Sequence, residues 1–112
     1  MALPLTVFRT IPLDVPATDT IVYTAPTGYN AIVLTAQTVN TSVSASESFS
    51  LSLRRGLIDH PIVSQYEIPP NEVLIASGGS TGKLVVQTGD SLEISGSSAD
   101  LKFTLSVLET LI

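Results

Sequence analysis

Apolar residues recur at every second position through much of this chain, and that period decides what it can fold into. Ser48-Phe49-Ser50-Leu51-Ser52-Leu53-Arg54 sets aliphatic and aromatic side chains against hydroxyls in alternation, and Leu101-Lys102-Phe103-Thr104-Leu105-Ser106-Val107 repeats the scheme. Successive strand residues point to opposite faces, so each segment reads as a strand with one buried face. Less regular segments at 4–11, 20–25, 29–39, 62–68, 72–76, 83–88 and 91–95 read as further strands. No segment carries a sustained i, i+3, i+4, i+7 stripe opened by a cap, so helices are not expected.

Turn chemistry separates these segments. Ala25-Pro26-Thr27-Gly28 pairs a residue that presets φ with one that permits positive φ, and Ile68-Pro69-Pro70-Asn71 breaks one strand before the next. Thr88-Gly89-Asp90-Ser91 makes a tight link, Ser95-Gly96-Ser97-Ser98 closes a strand, and Ser77 to Gly82 reads as an exposed, mobile loop. About eight short strands with a turn after each predict an all-β fold, an antiparallel β-sandwich of jelly-roll or Ig-like type. The faces bearing Phe49, Leu51 and Leu53 and Leu101, Phe103, Leu105 and Val107 are expected to meet between its sheets.

The domain proper is expected to span 17–112. Residues 1–16 read as an extended N-terminal arm or edge strand, because Pro4, Pro12 and Pro16 cannot donate ladder hydrogen bonds. The odd positions of this segment, Leu3, Leu5, Val7, Ile11, Leu13 and Val15, are apolar and broken only at Arg9. Such a face needs cover. With eight strands already assigned to the domain, a neighbouring chain is the expected host, which makes Leu3, Leu5, Val7, Ile11 and Leu13 the candidate assembly contacts.

Composition narrows the partners. At 112 residues the chain can build one core, burying roughly 65% of its unfolded surface. It is 44% hydrophobic and 13% charged, with mean hydropathy +0.41, so apolar surface is expected to remain for a partner. Its net charge is −5, and its basic residues Arg9, Arg54, Arg55, Lys83 and Lys102 are dispersed. Nucleic acid and anionic membrane both attract clustered cations, so neither is an expected partner. With no cysteine, the fold holds together without disulfides. No signal peptide and no membrane-length apolar run is evident, and synthesis in a cytoplasm is expected.

Catalytic signatures fail on inspection. Ser77-Gly78-Gly79-Ser80-Thr81-Gly82-Lys83 lacks the first glycine of a phosphate loop, has Leu84 where Ser or Thr is required, and runs into a strand. His60 is the sole histidine, beside Asp59 and before Pro61 in an expected loop, and no G-x-S-x-G elbow accompanies it. The ten carboxylates are dispersed, without the clustered oxygens of a calcium loop. Asp90 reads as a turn residue whose carboxylate accepts backbone N–H groups. Asn40-Thr41-Ser42 fits a glycosylation sequon, read as a chance match without a secretory signal. No catalytic residue, cofactor or metal site is assigned, and the chain is not expected to be an enzyme.

Several strings in order carry a resemblance: Tyr23 to Val33 (YTAPTGYNAIV), Gln37 to Thr41, IPPN at Ile68 to Asn71, GKLVV at Gly82 to Val86, GDSLEI at Gly89 to Ile94, and SVLETL at Ser106 to Leu111. Together they resemble small β-sandwich virion proteins of tailed bacteriophages, especially those infecting cyanobacteria. The resemblance implies a structural part of a virion. One role is a capsid decoration (cement) protein that binds major capsid subunits as a homo-oligomer. A tail, neck or baseplate piece is the alternative, and a carbohydrate-binding module using Tyr29 or Tyr66 is a third. The family brings no catalytic residues. An acidic chain suits an outer surface better than a DNA-facing one.

Overall fold

The structure, a computed structural model, describes residues 5–77 and 82–112. Its strands are β1 (Thr6–Asp14), β2 (Thr20–Thr24), β3 (Tyr29–Asn40), β4 (Glu47–Arg55), β5 (Ile58–Ile68), β6 (Val73–Ser77), β7 (Leu84–Val86), β8 (Ser91–Gly96) and β9 (Leu101–Leu111). Helix is absent among the described residues. β5 begins earlier than the alternation implied, so His60 and Pro61 lie within an edge strand rather than a loop. That position tolerates proline because an edge strand needs only one side of its ladder.

Two antiparallel sheets form. The larger runs β1-β9-β3-β6, with β7 also paired to β3, and the smaller runs β2-β8-β4-β5. The chain crosses repeatedly between sheets, and its first and last strands lie side by side. This order is that of a jelly roll, and the Ig-like alternative falls away because that fold groups its strands differently.

The inner faces meet as the alternation requires. Phe49 of β4 stacks on Phe103 of β9 with ring centroids 5.8 Å apart. Leu51, Leu92 and Ile94 from the smaller sheet and Val33, Leu101, Leu105 and Val107 from the larger are buried in the same cluster. Gly96 sits where the sheets close together. A Cβ there would lie 2.7 Å from Val15 Cγ1 and 2.8 Å from Leu101 Cδ1, so only glycine fits without displacing core side chains.

The turns follow their local chemistry. Tyr29 N–H donates to the Pro26 carbonyl at 3.0 Å and Asp90 N–H to the Gln87 carbonyl at 2.9 Å, the latter turn passing through Gly89 at φ +85°. Asn40, read as a chance sequon, is fully buried. Its amide donates to the Ala45 and Ile68 carbonyls at 2.8 and 2.9 Å, and its Oδ1 accepts from Ser42 N–H at 3.0 Å. The side chain ties two loops together and offers nothing to a glycan. The loop from Ser77 to Gly82 lies outside the described residues except at its ends. There the Ser77 hydroxyl donates to the Gly82 carbonyl at 3.4 Å.

The N-terminal segment takes the edge-strand form of the two expected, but not the expected host. β1 pairs with β9 over its whole length, from Thr6 opposite Thr110 to Asp14 opposite Lys102, and forms an edge of the larger sheet. Ile11 and Leu13 pack against the chain's own core and Val15 lies within it. The odd-numbered apolar face is therefore covered within the chain, where a neighbour had been expected. The vacancy existed because β9 would otherwise be the bare edge of its sheet.

Candidate assembly surfaces

Arg9 breaks the apolar series of β1 for a visible reason. Its Nε donates to Glu109 Oε1 at 2.9 Å, and the Tyr23 hydroxyl donates to Glu109 Oε2 at 2.6 Å. Glu109 is 1% exposed on the inner face of β9. Burial, then the Glu109 carboxylate, pushes the Tyr23 phenol well above its ordinary range. The triad binds β1 and β2, which lie in different sheets, to the last strand.

The open edges are poorly suited to accepting another strand. Leu111 N–H donates to the Leu5 carbonyl and Val15 N–H to the Leu101 carbonyl, so odd-numbered residues of β1 turn their backbone groups toward β9. Antiparallel pairing alternates, which leaves Thr6, Phe8, Thr10, Pro12 and Asp14 facing outward. Pro12 thus puts its missing N–H on the free edge, and β5 carries Pro61 at the corresponding edge of the smaller sheet. β2 and β6 are each five residues long. Proline and brevity both blunt strand addition.

The two outer faces differ in chemistry. On the smaller sheet Arg54 makes ion pairs with Asp59 at 3.2 Å and Glu93 at 3.3 Å. Nearby, Arg55 meets Asp90 in a two-pronged contact, Nε to Oδ1 at 3.0 Å and Nη2 to Oδ2 at 2.7 Å. The Arg55 guanidinium holds the Asp90 carboxyl below the usual carboxylate range, while burial and the neighbouring Asp59 charge raise that of Glu93. Gln87 N–H also reaches Asp90 Oδ2 at 3.3 Å, the turn bond expected of this residue.

The outer face of the larger sheet is almost uncharged. Register places Phe8 opposite Leu108, Leu108 opposite Ile32, and Ile32 opposite Val85, giving an apolar row that crosses four strands. Phe8 is 73% exposed and Val85 50%. Rows of hydroxyl and amide groups flank it, Thr6-Thr110-Asn30 on one side and Thr10-Ser106-Thr35 on the other. Val39, Val73 and Ile75 add apolar area farther along. On this face Asp14 and Lys102 pair with each other at 2.9 Å, and the exposed Lys83 stands at its margin, two residues before Val85.

Of the sequence-derived contacts, Leu3 lies outside the described residues. Leu5 is exposed, while Val7, Ile11 and Leu13 are half-buried on the inner side of β1. Apart from Leu5 and Arg9, the residues of this segment that reach solvent are the even ones, Phe8 being the large apolar one among them. Phe8 and Leu108 each interrupt a polar run, a signal visible in the sequence, but only register shows that they share a row with Ile32 and Val85. Of the two tyrosines considered for sugar stacking, Tyr29 is buried and Tyr66 is exposed on β5. Among the described residues there is no ligand-sized cavity, and no three His, Asp or Glu side chains gather to hold a metal ion.

No protein-family model matches this chain, and no curated protein matches it. Among solved structures, one similar chain comes from Bacillus endospore appendages described as a novel family of disulfide-linked pili. The likeness has a TM-score of 0.53 at 15% identity and covers 96% of this chain and 88% of that one. At that identity the likeness speaks to the fold alone: this is a jelly-roll β-sandwich.

Proposed function

We propose that this chain is a structural subunit of a tailed-bacteriophage virion, acting as a capsid decoration (cement) protein that stabilises the head by binding major capsid subunits. The observation that carries this reading is a closed core surrounded by large exposed apolar side chains, including Phe8, Val85, Tyr66 and the β4–β5 hairpin tip, where Leu57 is 89% exposed. A sandwich that has satisfied its core and still presents such groups suits a binding surface. The ordered strings from Tyr23 to Leu111 support the same reading. A tail, neck or baseplate role uses the same surfaces. A homopolymeric fibre is a further reading, favoured by the likeness to the pilus chain; lacking cysteine, such a fibre would hold together non-covalently.

The test is quantitative mass spectrometry of purified particles, together with co-sedimentation of the recombinant chain with capsids lacking it. Hundreds of copies per particle and saturable capsid binding are expected. Copies in threes or sixes would move the protein to the tail, and its absence from particles would overturn the virion reading.

A further inference from the structure

We infer that two copies of this chain pair face to face through the outer surface of the larger sheet. The row Phe8-Leu108-Ile32-Val85 is the seam, and the occupant is a second copy of the chain. Three observations converge on this.

The first is charge. Two molecules of net charge −5 repel, and any contact between them is favoured where the charge is least. The outer face of the larger sheet carries the Asp14–Lys102 pair and, at its margin, the single cation Lys83, with no unpaired acid among the described residues of its strands, whereas the smaller sheet presents Arg54, Asp59 and Glu93. Charge would also oppose dimerisation through the smaller sheet, since even paired ions are costly to desolvate.

The second is area. Four strand positions about 4.8 Å apart and about ten residues rising about 3.4 Å each give a projected face of roughly 650 Å². A standard stable interface buries ~800 Å² per partner, and a pleated surface exceeds its projection. The whole face therefore suffices for a stable dimer, while the hairpin tip alone is far too small.

The third is self-complementarity. An isologous interface uses the same patch on both copies. A two-fold axis between the sheets, parallel to the strands and midway between β9 and β3, lays Phe8 of one copy over Val85 of the other. The larger side chain then meets the smaller at both ends, with Leu108 and Ile32 exchanging in the middle. The flanking hydroxyl rows fall on each other. Tilting that axis by about 15° from the strands gives the angle of about −30° at which twisted sheets stack and leaves the centre of the row in register. Strand addition, the alternative route, meets Pro12 on one edge and Pro61 on another.

Sedimentation velocity and light scattering from about 1 to about 100 μM test the pairing. The wild type should run at twice the 11.8 kDa of the chain. Phe8→Lys and Val85→Lys, both at exposed positions, should each raise the dimer Kd at least 100-fold, because every substitution enters the seam twice. Leu57→Lys at the hairpin tip should leave it unchanged. Circular dichroism checks each variant, and Val85→Lys carries the reading if Phe8→Lys does not fold. A wild type that is monomeric at the highest concentration, a dimer indifferent to both seam lysines, or one weakened equally by Leu57→Lys would overturn the pairing. The pairing stands apart from the virion reading: a dimer that ignores capsids sinks only the latter, and a monomer that binds them sinks only the former.

Discussion

Glu109 has two hydrogen-bond partners and almost no contact with water, so its neighbours decide what its burial costs. Tyr23→Phe removes the 2.6 Å bond and leaves the carboxylate with Arg9 alone, which should destabilise the fold by about 1–3 kcal/mol in a denaturant melt. Asp90 and Glu93 act in opposite directions with pH. The folded value of Asp90 lies below its unfolded one, so its stabilisation is complete above the ordinary value of about 3.9 and disappears as pH falls through the lower folded value. Glu93 holds its proton more readily in the fold, so its contribution is complete below the ordinary value of about 4.3 and is lost as pH rises through the higher folded value. Asp90→Asn should therefore lower the melting temperature at pH 7 and show a shallower fall than wild type below pH ~4. An acid limb as steep as that of wild type would mean that another carboxylate governs it.

Strands were legible because their buried faces alternate: β4 and β9 follow the sequence pattern closely, and Phe49 meets Phe103 across the core. Phe103→Ala should accordingly cost about 3–5 kcal/mol, measured by chemical denaturation. β1 shows where legibility stopped. Its odd-numbered face reads clearly as buried, but no local signal tells whether the chain or a neighbour buries it. That depends on β9, one hundred residues away at the Arg9–Glu109 contact. The same gap hid the apolar row, since Phe8, Ile32, Val85 and Leu108 lie in four separate segments. His60 misled because Pro61 argues for a loop until the strand is known to be an edge. Deleting residues 2–16 should now abolish cooperative thermal unfolding, because it strips Val15 from the core, uncovers β9 and leaves Glu109 without Arg9. A sharp melt in the truncated chain would show that β1 is dispensable.

For the whole molecule, the placement of β9 has a consequence for how the protein comes into being. The last strand of the domain is an interior one, with β1 on one side and β3 on the other. Until it arrives, β1 has no partner and the Phe49 ring has no Phe103 to stack on. Topologies dominated by such distant pairings fold in milliseconds to seconds rather than microseconds. Stopped-flow refolding should lie in that slow range, and a ribosome-arrested chain with β8 clear of the exit tunnel and β9 still inside it should be digested by protease as readily as an unfolded one. Protection of that shorter nascent chain would show that the first eight strands suffice. Otherwise each copy stays unfolded until β9 has emerged from the ribosome, and release of that strand starts the folding of the whole domain.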